Sequence, residues 1–226
     1  MNFEPIATVK SVFTEKFGIP RQSGLCPAST AGIVFPLNRF NEDALSNLDG
    51  YSHLWVIFYF HSLKKSPDKA KIRPPRLGGN QYAGVFSSRS PYRPNPIGLS
   101  LVELCNIEIQ NDAIIVNIAN HDLLEGTPVL DIKPYISHDF PVREPQFGWQ
   151  ASEWKELNIA FSEECINFLK DTPILKTLIE ETLQNDPRPA YRKSGDTDRE
   201  YGMIIDGHEV RFKSTENECT VTKITR

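Results

Sequence analysis

Residues 97–135, IGLSLVELCNIEIQNDAIIVNIANHDLLEGTPVLDIKPY, contain three short runs rich in β-branched and other apolar side chains, separated by Asn, Asp, Gly and Pro. Such runs favour β-strands bounded by turns, and we place strands at 97–104, 113–119 and 128–135. No helical segment separates these closely spaced strands. The pattern therefore predicts a barrel or a sandwich rather than a doubly wound parallel sheet.

The residues that precede this stretch continue the strand pattern. Further runs with the composition of strands lie at 4–13, 31–37, 54–60 and 81–87. The run at 54–60, LWVIFYF, is apolar on both faces, so we expect it to cross the middle of the fold and to carry His61 and Ser62 at its end. A helix N-cap at Asn41, followed by two acidic residues, predicts a short helix that ends near Gly50.

The composition changes after about residue 136, where prolines and a glycine mark a linker with no clear period. Helical patterns follow the linker. Ser162 predicts the cap of a helix that runs to Lys170. Thr172 and Pro173 predict a cap followed by proline at the first helical position, for a second helix that reaches Gln184.

The second helix and the residues after it complete a small α+β unit. The apolar face of that helix is expected to contain Ile174, Leu175, Leu178, Ile179 and Leu183. A tight turn predicts a hairpin with strands at 201–205 and 208–212, and a third strand is expected at 220–224. We therefore predict a mainly β, barrel-like domain that is not a Rossmann fold over residues 1–140, and a small α+β domain over residues 141–226.

The amino-acid composition further restricts the class of protein. The chain has 226 residues, of which 39% are hydrophobic and 24% charged, values typical of a globular protein with one or two domains. The four cysteines form no CxxC pair, which argues against a zinc ribbon or a dithiol redox motif. The longest apolar run, at 54–60, is far too short to span a bilayer. We expect a soluble cytoplasmic protein with no membrane partner.

Charge is unevenly distributed along the chain. The net charge of −4 argues weakly against a nucleic-acid partner, because a phosphate backbone is usually met by a basic surface. Between residues 64 and 76, however, six cations stand against one acid. This run is either a solvated loop or a surface that binds phosphate.

Residues 89–98, RSPYRPNPIG, combine two arginines, three prolines and a tyrosine. Their backbone is stiff and their planar side chains suit an anionic or aromatic ligand, although the prolines alone would also shape a crossing between two strands. GxGxxG, HExxH, GxSxG and Walker A patterns are all absent from the sequence. Any nucleotide-like cofactor is therefore expected to bind outside a Rossmann fold.

The same loop carries a resemblance to a known family. The run RSPYRPNPIGLSLVEL at 89–104, with SHLW at 52–55, RPPRLGG at 73–79 and DLLEGTP at 122–128, resembles the TsaA-like family. The run DPRPAYR at 186–192 extends the likeness to bacterial two-domain members, which are transfer-RNA (tRNA) adenine-N6 methyltransferases. The likeness covers nearly the whole chain.

The resemblance implies a β-barrel domain that binds S-adenosylmethionine and is dimeric in the family, followed by a small α+β domain that helps to grip RNA. It also implies N6 methylation of adenine 37 in the anticodon loop of threonine-accepting tRNA, where that adenine already bears a threonylcarbamoyl group. No catalytic base is assigned, because the sulfonium is an activated methyl donor and alignment of N6 is the main requirement. No metal is expected.

The matching motifs also carry over a set of cofactor contacts. These are Pro20, Arg21, Gln22, His61, Ser62, Arg89, Leu99, Asp122, Leu123, Leu124, Glu125, Gly126 and Thr127. Arg21 or Arg89 suits the cofactor carboxylate. Asp122 or Glu125 suits its ammonium group or its ribose hydroxyls, and family members commonly have aspartate in place of Glu125.

RNA contact is expected from cationic and aromatic side chains outside this set. Tyr92 and Arg93 are candidates to contact the target base. Further RNA contacts are predicted at Lys64, Lys65, Lys69, Lys71, Arg73, Arg76, Arg188, Tyr191, Arg192 and Lys193. Two alternatives stay open, namely that Arg73 and Arg76 belong to a dimer interface and that the basic residues after the second helix compensate its C-terminus.

Two other functions compete with methyl transfer. The first is a non-catalytic RNA-binding module that retains the cofactor pocket as a sensor. The second is a metal-dependent hydrolase that uses His121, Asp122, Glu125 and Asp131, although this cluster has no recognisable ligand spacing.

Overall fold

The computed structural model describes residues 2–40, 42–63, 70–74, 77, 81–110, 112–151, 156–189 and 199–226. Within these ranges the strands are β1 (Ala7–Ser11), β2 (Thr30–Pro36), β3 (His53–Tyr59), β4 (Lys71–Ile72), β5 (Ala83–Gly84), β6 (Ile97–Gln110), β7 (Ala113–Ala119), β8 (Pro128–Pro134), β9 (Asn158–Phe161), β10 (Glu200–Ile205), β11 (His208–Ser214) and β12 (Glu218–Thr225). The α-helices are α1 (Glu163–Leu169) and α2 (Pro173–Gln184).

Six strands of the first domain close into an antiparallel barrel in the order β1, β2, β7, β6, β3 and β8. Because side chains alternate across a strand, every second residue points into the barrel. The interior includes the completely buried side chains of Val9, Ile33, Leu54, Val56, Val116 and Val129. Full burial of such a side chain contributes about 1.5–3 kcal/mol. The prediction of a barrel-like domain without a Rossmann fold is confirmed.

In the described part of the second domain, a four-stranded sheet packs with two helices. The sheet order is β10, β11, β12 and β9, and β9 runs parallel to β12. Ser162 caps α1, because its Oγ accepts a hydrogen bond from the backbone N of Cys165 at 3.3 Å. Both helices and the hairpin were predicted from the sequence, and the small α+β domain is confirmed.

Several local predictions were wrong. Only Ala83–Gly84 of the expected strand at 81–87 is a strand, and a 3-10 turn, Val85–Ser87, follows it. The expected helix before Gly50 consists of two separate 3-10 turns, Glu42–Leu45 and Leu48–Gly50. Ile174 does not belong to the buried face of α2, since its side chain is 75% exposed.

Residues 12–29, which we call the β1–β2 connection, join the two domains. Phe13 and Cys26 are buried in the core of the second domain, together with Leu183 and Met203. Part of the β1–β2 connection, which links two strands of the first domain, therefore belongs to the core of the second domain. Among the residues that the structure describes, no helix is both long enough and apolar enough to cross a membrane.

Candidate functional site

The candidate site lies where the first part of β6 does not pair with β7, which we call the unpaired edge of β6. Residues 97–102 of β6 pair with β3, whereas the pairing between β6 and β7 begins only at Glu103, opposite Ala119. The chain leaves β7 at Asn120, in a left-handed backbone conformation with φ 57°. The loop that follows, residues 120–127, and the β1–β2 connection lie beside this part of β6.

Asp122 is a polar side chain that hydrogen bonds hold in place beside this part of β6. Its Oδ1 accepts a hydrogen bond from Ser100 Oγ at 2.5 Å, and the backbone of Ser23 also donates to its carboxylate. Burial raises the pKa of the Asp122 carboxyl above its usual range, and hydrogen bonds from Ser100, from its own backbone and from Ser23, together with the charge of Arg89, oppose that rise. Asp122 is thus an oriented hydrogen-bond acceptor at the end of the barrel.

Arg89 lies beside Asp122 and is held by the β1–β2 connection. Its Nη1 donates to Gln22 Oε1 at 2.5 Å. The Arg89 side chain is otherwise exposed, so it is oriented but accessible. The structure therefore brings together three sequence-predicted residues, Gln22, Arg89 and Asp122, and adds Ser100, which the sequence analysis did not single out.

His61 and Ser62 follow β3 and lie near the other side of the 120–127 loop. A Cβ placed on Gly126 would be 3.9 Å from His61 Nε2, and Gly126 has a positive φ of 73°. Lys16 Nζ donates to the Ser62 carbonyl. Partial burial and the charge of Lys16 lower the pKa of His61, which favours the neutral imidazole. Lys16 was missed because no local pattern distinguishes it from other surface lysines.

Some predicted residues of the 120–127 loop serve its structure. Leu123 is fully buried and Thr127 is 3% exposed, so both side chains face the core. Glu125 Oε2 accepts from the backbone N of Ser11 at 2.6 Å, and Glu125 lines a cleft of about 630 Å³ that also contains Lys10. Leu124 is half-buried, and its carbonyl accepts from the Thr127 backbone N at 3.1 Å.

The remaining predicted cofactor contacts differ in their accessibility. Pro20 is buried. Arg21 is half-buried, and its Nη2 donates to the backbone carbonyls of Asp186 at 3.2 Å and Arg188 at 3.1 Å, both in the second domain. Leu99 lies on the outer face of β6 and is 53% exposed.

Gly98, next to Leu99, allows β6 to approach the buried ring of Phe58 on β3. A Cβ at Gly98 would lie 2.2 Å from Phe58 Cζ, well inside van der Waals contact. Only glycine fits there without a shift of the ring. Gly98 therefore helps to set the position of the strand that carries Ser100.

The predicted RNA contacts are distributed over several surfaces. Lys71 and Arg73 are exposed, and the Arg73 guanidinium lies 4.7 Å from the ring centroid of Tyr82. Tyr92 is 50% exposed, and Arg93 Nη1 donates to the Ser88 carbonyl at 3.2 Å. The predictions at Lys64, Lys65, Lys69, Arg76, Tyr191, Arg192 and Lys193 lie outside the described residues.

Arg188 was wrongly predicted to contact RNA. Its side chain is buried, with the whole residue 1% exposed. Its Nε donates to Asp186 Oδ1 at 2.9 Å, and its Nη1 and Nη2 donate to the carbonyls of Ser214 at 2.8 Å and Thr215 at 2.6 Å. With its donors used inside the second domain, this guanidinium is withdrawn from solvent and from RNA.

The geometry does not favour the metal-dependent alternative. Across the described ranges, no three His, Cys, Asp or Glu side chains converge to hold a metal ion. His121 is fully buried and its Nδ1 accepts from the Leu123 backbone N at 3.1 Å, while Asp131 pairs with Lys133 at 2.8 Å. The members of the proposed cluster thus have separate structural partners.

Fold and site together define a two-domain protein with a closed antiparallel barrel and a polar cluster beside residues 97–102 of β6, which do not pair with β7. Family models identify it further. The tRNA-methyltransferase O N-terminal domain matches residues 8–139, and the TrmO C-terminal domain matches residues 155–226. The chain therefore belongs to the tRNA-methyltransferase O family.

Individual relatives agree with this assignment. The chain is 38% identical over 222 residues to the tRNA (adenine(37)-N6)-methyltransferase of Escherichia coli (strain K12), covering 95% of this chain and 93% of that protein. It is 42% identical over 163 residues to the enzyme of the same name from Eikenella corrodens, covering 72% and 90%. A crystal structure of TrmO from Pseudomonas aeruginosa is similar with a TM-score of 0.76 and 28% identity, over 100% of this chain and 99% of that one.

Proposed function

We propose that this protein transfers a methyl group from S-adenosylmethionine to N6 of adenine 37 in tRNA. We further propose that its substrate is threonine-accepting tRNA in which that adenine already bears a threonylcarbamoyl group. The observation that carries the proposal is the cluster of Gln22, Arg89, Ser100 and Asp122, which lies at the barrel edge of a chain that belongs to this family along its length.

The chemistry of this cluster fits the cofactor. An exposed arginine held by a glutamine suits the carboxylate of S-adenosylmethionine, which we assign to Arg89. An oriented carboxylate suits its ammonium group or ribose hydroxyls, which we assign to Asp122. The half-exposed Leu99 offers apolar cover for a flat adenine. His61, Ser62 and the backbone of the 120–127 loop complete the proposed contacts.

The proposed reaction requires little chemical catalysis from the side chains. When bound, S-adenosylmethionine supplies a methyl group that is already activated on a sulfonium. The side chains must hold the acceptor N6 in line with that methyl group, and the proton released from N6 can pass to water. Tyr92 and Arg93 are proposed to hold the target base, because bases of single-stranded loops stack on aromatic and guanidinium planes.

Binding of the tRNA backbone is assigned to the basic residues near β4. Lys71 and Arg73 are exposed there and can neutralise phosphates. We also propose, from the family resemblance, that the protein is a homodimer in the cytoplasm. Analytical ultracentrifugation of the purified chain tests the dimer.

The test of the function is transfer of a labelled methyl group from S-adenosylmethionine to tRNA. Threonine-accepting tRNA is supplied with and without the threonylcarbamoyl group, and a tRNA with guanine at position 37 is the blank. The Asp122→Asn variant should lose affinity for S-adenosylmethionine by about 10- to 100-fold, because it loses a charge-assisted interaction. Asp131→Asn is the matched control, since Asp131 pairs with Lys133 on the exterior of β8.

Incorporation only into the modified tRNA supports both the reaction and the substrate. Incorporation into both tRNA preparations supports the reaction and contradicts the requirement for the modification. Saturable binding of S-adenosylmethionine with no incorporation into either would instead indicate a non-catalytic module that senses the cofactor.

A further inference from the structure

Residues 186–188 of the second domain are a rigid element. The carboxylate of Asp186 accepts from Arg188 Nε at 2.9 Å and Nη2 at 3.2 Å, and both residues are buried. The same guanidinium donates to the carbonyls of Ser214 and Thr215 at the end of β11. Because a guanidinium presents its donors in a rigid plane, these hydrogen bonds fix the backbone of residues 186–188 relative to the end of β11.

Arg21 binds the backbone of this rigid element. Its Nη2 donates to the carbonyls of Asp186 and Arg188 at 3.2 and 3.1 Å. The next two residues, Gln22 and Ser23, are those that contact Arg89 and Asp122. One peptide unit therefore separates a contact with the second domain from a contact with the proposed cofactor site.

Other bonds hold the β1–β2 connection to the second domain at points further from the site. The backbone N of Ala28 donates to Glu181 Oε2 at 2.7 Å, and Asn185 Nδ2 donates to the Leu25 carbonyl at 2.8 Å. At its start, Glu15 Oε1 accepts from the backbone N of Ile204 at 2.8 Å. Arg21 is the anchor that lies nearest to Gln22 and Ser23.

We infer that Arg21 is a positioning residue through which the second domain holds Gln22 and Ser23 in place for cofactor binding, rather than a direct ligand of the cofactor carboxylate. The inference rests on the proposed function. It gives the Asp186–Arg188 pair a role as well: the pair orders the carbonyls that receive Arg21.

The two roles of Arg21 predict different responses to a truncated cofactor. Methylthioadenosine lacks the carboxylate and ammonium groups of S-adenosylmethionine but keeps its adenosine and sulfur. A direct carboxylate ligand contributes only to the binding of S-adenosylmethionine. A positioning residue shapes the whole site, so its loss should lower the affinity for both compounds by a similar factor.

The experiment measures the affinity of both compounds for the full chain by calorimetry. Arg21→Ala should weaken both by a similar factor on the order of tenfold, as expected for the loss of charge-assisted hydrogen bonds. Arg21→Lys should recover part of the loss, because an ammonium can still donate to a carbonyl. In methyl transfer, Arg21→Ala should raise KM for S-adenosylmethionine and leave kcat near the wild-type value. The matched control is Arg211→Ala, an exposed arginine of β11 that pairs with Glu209 at 3.0 Å, and it should bind as the wild type does.

A second variant covers the case in which Arg21→Ala does not fold, as judged by thermal unfolding. Glu181→Ala removes the bond to Ala28 at another point of the β1–β2 connection, and it should weaken both compounds by a smaller but equal factor. A loss confined to S-adenosylmethionine in Arg21→Ala overturns the inference and leaves the proposed function standing. So does wild-type affinity in Arg21→Ala, or in Glu181→Ala if Arg21→Ala does not fold. If the wild-type chain binds neither compound, the proposed function falls and the inference falls with it.

Discussion

Substitution of Gly98 by alanine should destabilise the barrel, because the added methyl group would clash with the ring of Phe58. The new Cβ would lie 2.2, 2.5 and 2.6 Å from the Cζ, Cε2 and Cε1 atoms of that ring. Carbon atoms in contact are separated by about 3.5–4.0 Å, so ring and strand must move apart by more than 1 Å, on the order of a third of a contact distance. Phe58 is 4% exposed and its centroid lies 5.0 Å from that of Phe60, so the ring has little room to retreat.

Overpacking of a filled core costs about 1–3 kcal/mol, and we expect a value near the upper end, about 3 kcal/mol. The assay is urea unfolding followed by tryptophan fluorescence, for which Trp55 on β3 is a local probe. Gly202→Ala is the matched control, since among the described residues a Cβ at Gly202 on β10 would meet only Glu209 Oε1, at an ordinary 3.8 Å. Equal unfolding free energies for the two variants, within about 0.5 kcal/mol, would refute the overpacking argument.

Three further predictions concern electrostatics. Arg89→Ala should weaken S-adenosylmethionine binding at fixed salt, whereas Lys71→Ala should mainly reduce the salt dependence of tRNA binding. Filter binding of both ligands at several salt concentrations measures the two effects, and the prediction fails if the effects of the two variants are exchanged. Arg188→Met leaves the Asp186 carboxylate buried without its cation and should lower the unfolding free energy by about 3–5 kcal/mol, which urea unfolding measures; a loss below about 1 kcal/mol would contradict the buried pair. Burial lowers the pKa of His121 from 6.5 to about 4. On acidification the imidazole is therefore protonated in the unfolded state before it is protonated in the folded state, so the stability that is present above pH 6.5 is lost as the pH falls towards 4. The loss amounts to about 3 kcal/mol at most, and unfolding of His121→Gln at pH 4.5 and 7 should show a smaller pH dependence than the wild type.

The fold was predictable wherever a local pattern decided it. The strands near 113–119 and 128–135 follow from alternation and turn residues, and Ser162 from cap chemistry. The strand β9 was missed, because four residues next to a linker give no period of their own and are held by a parallel pairing with β12. Such a strand depends on its pairing with a distant segment, and the sequence pattern of a single chain does not reveal that pairing.

The candidate site was predictable in its residue types more than in their roles. Gln22, Arg89 and Asp122 came from the family resemblance and lie together in the structure. Ser100 was not singled out, because a serine in a strand is ordinary until its hydroxyl meets Asp122. Arg188 was misjudged, since a cationic residue beside proline and tyrosine looks like an RNA contact unless its burial is known.

The site also differs physically from a Rossmann cofactor site. There, a glycine-rich turn and the N-terminus of one helix provide the donors for an anionic group within one short segment. Here, among the described residues, α1 and α2 both lie in the second domain, and we propose that the anionic group is met by a side chain, Arg89. That side chain is held by Gln22, which belongs to a connection packed on the second domain. With this assignment, we expect cofactor binding to depend on contacts between distant parts of the chain, so substitutions in the second domain should affect it without touching the cofactor.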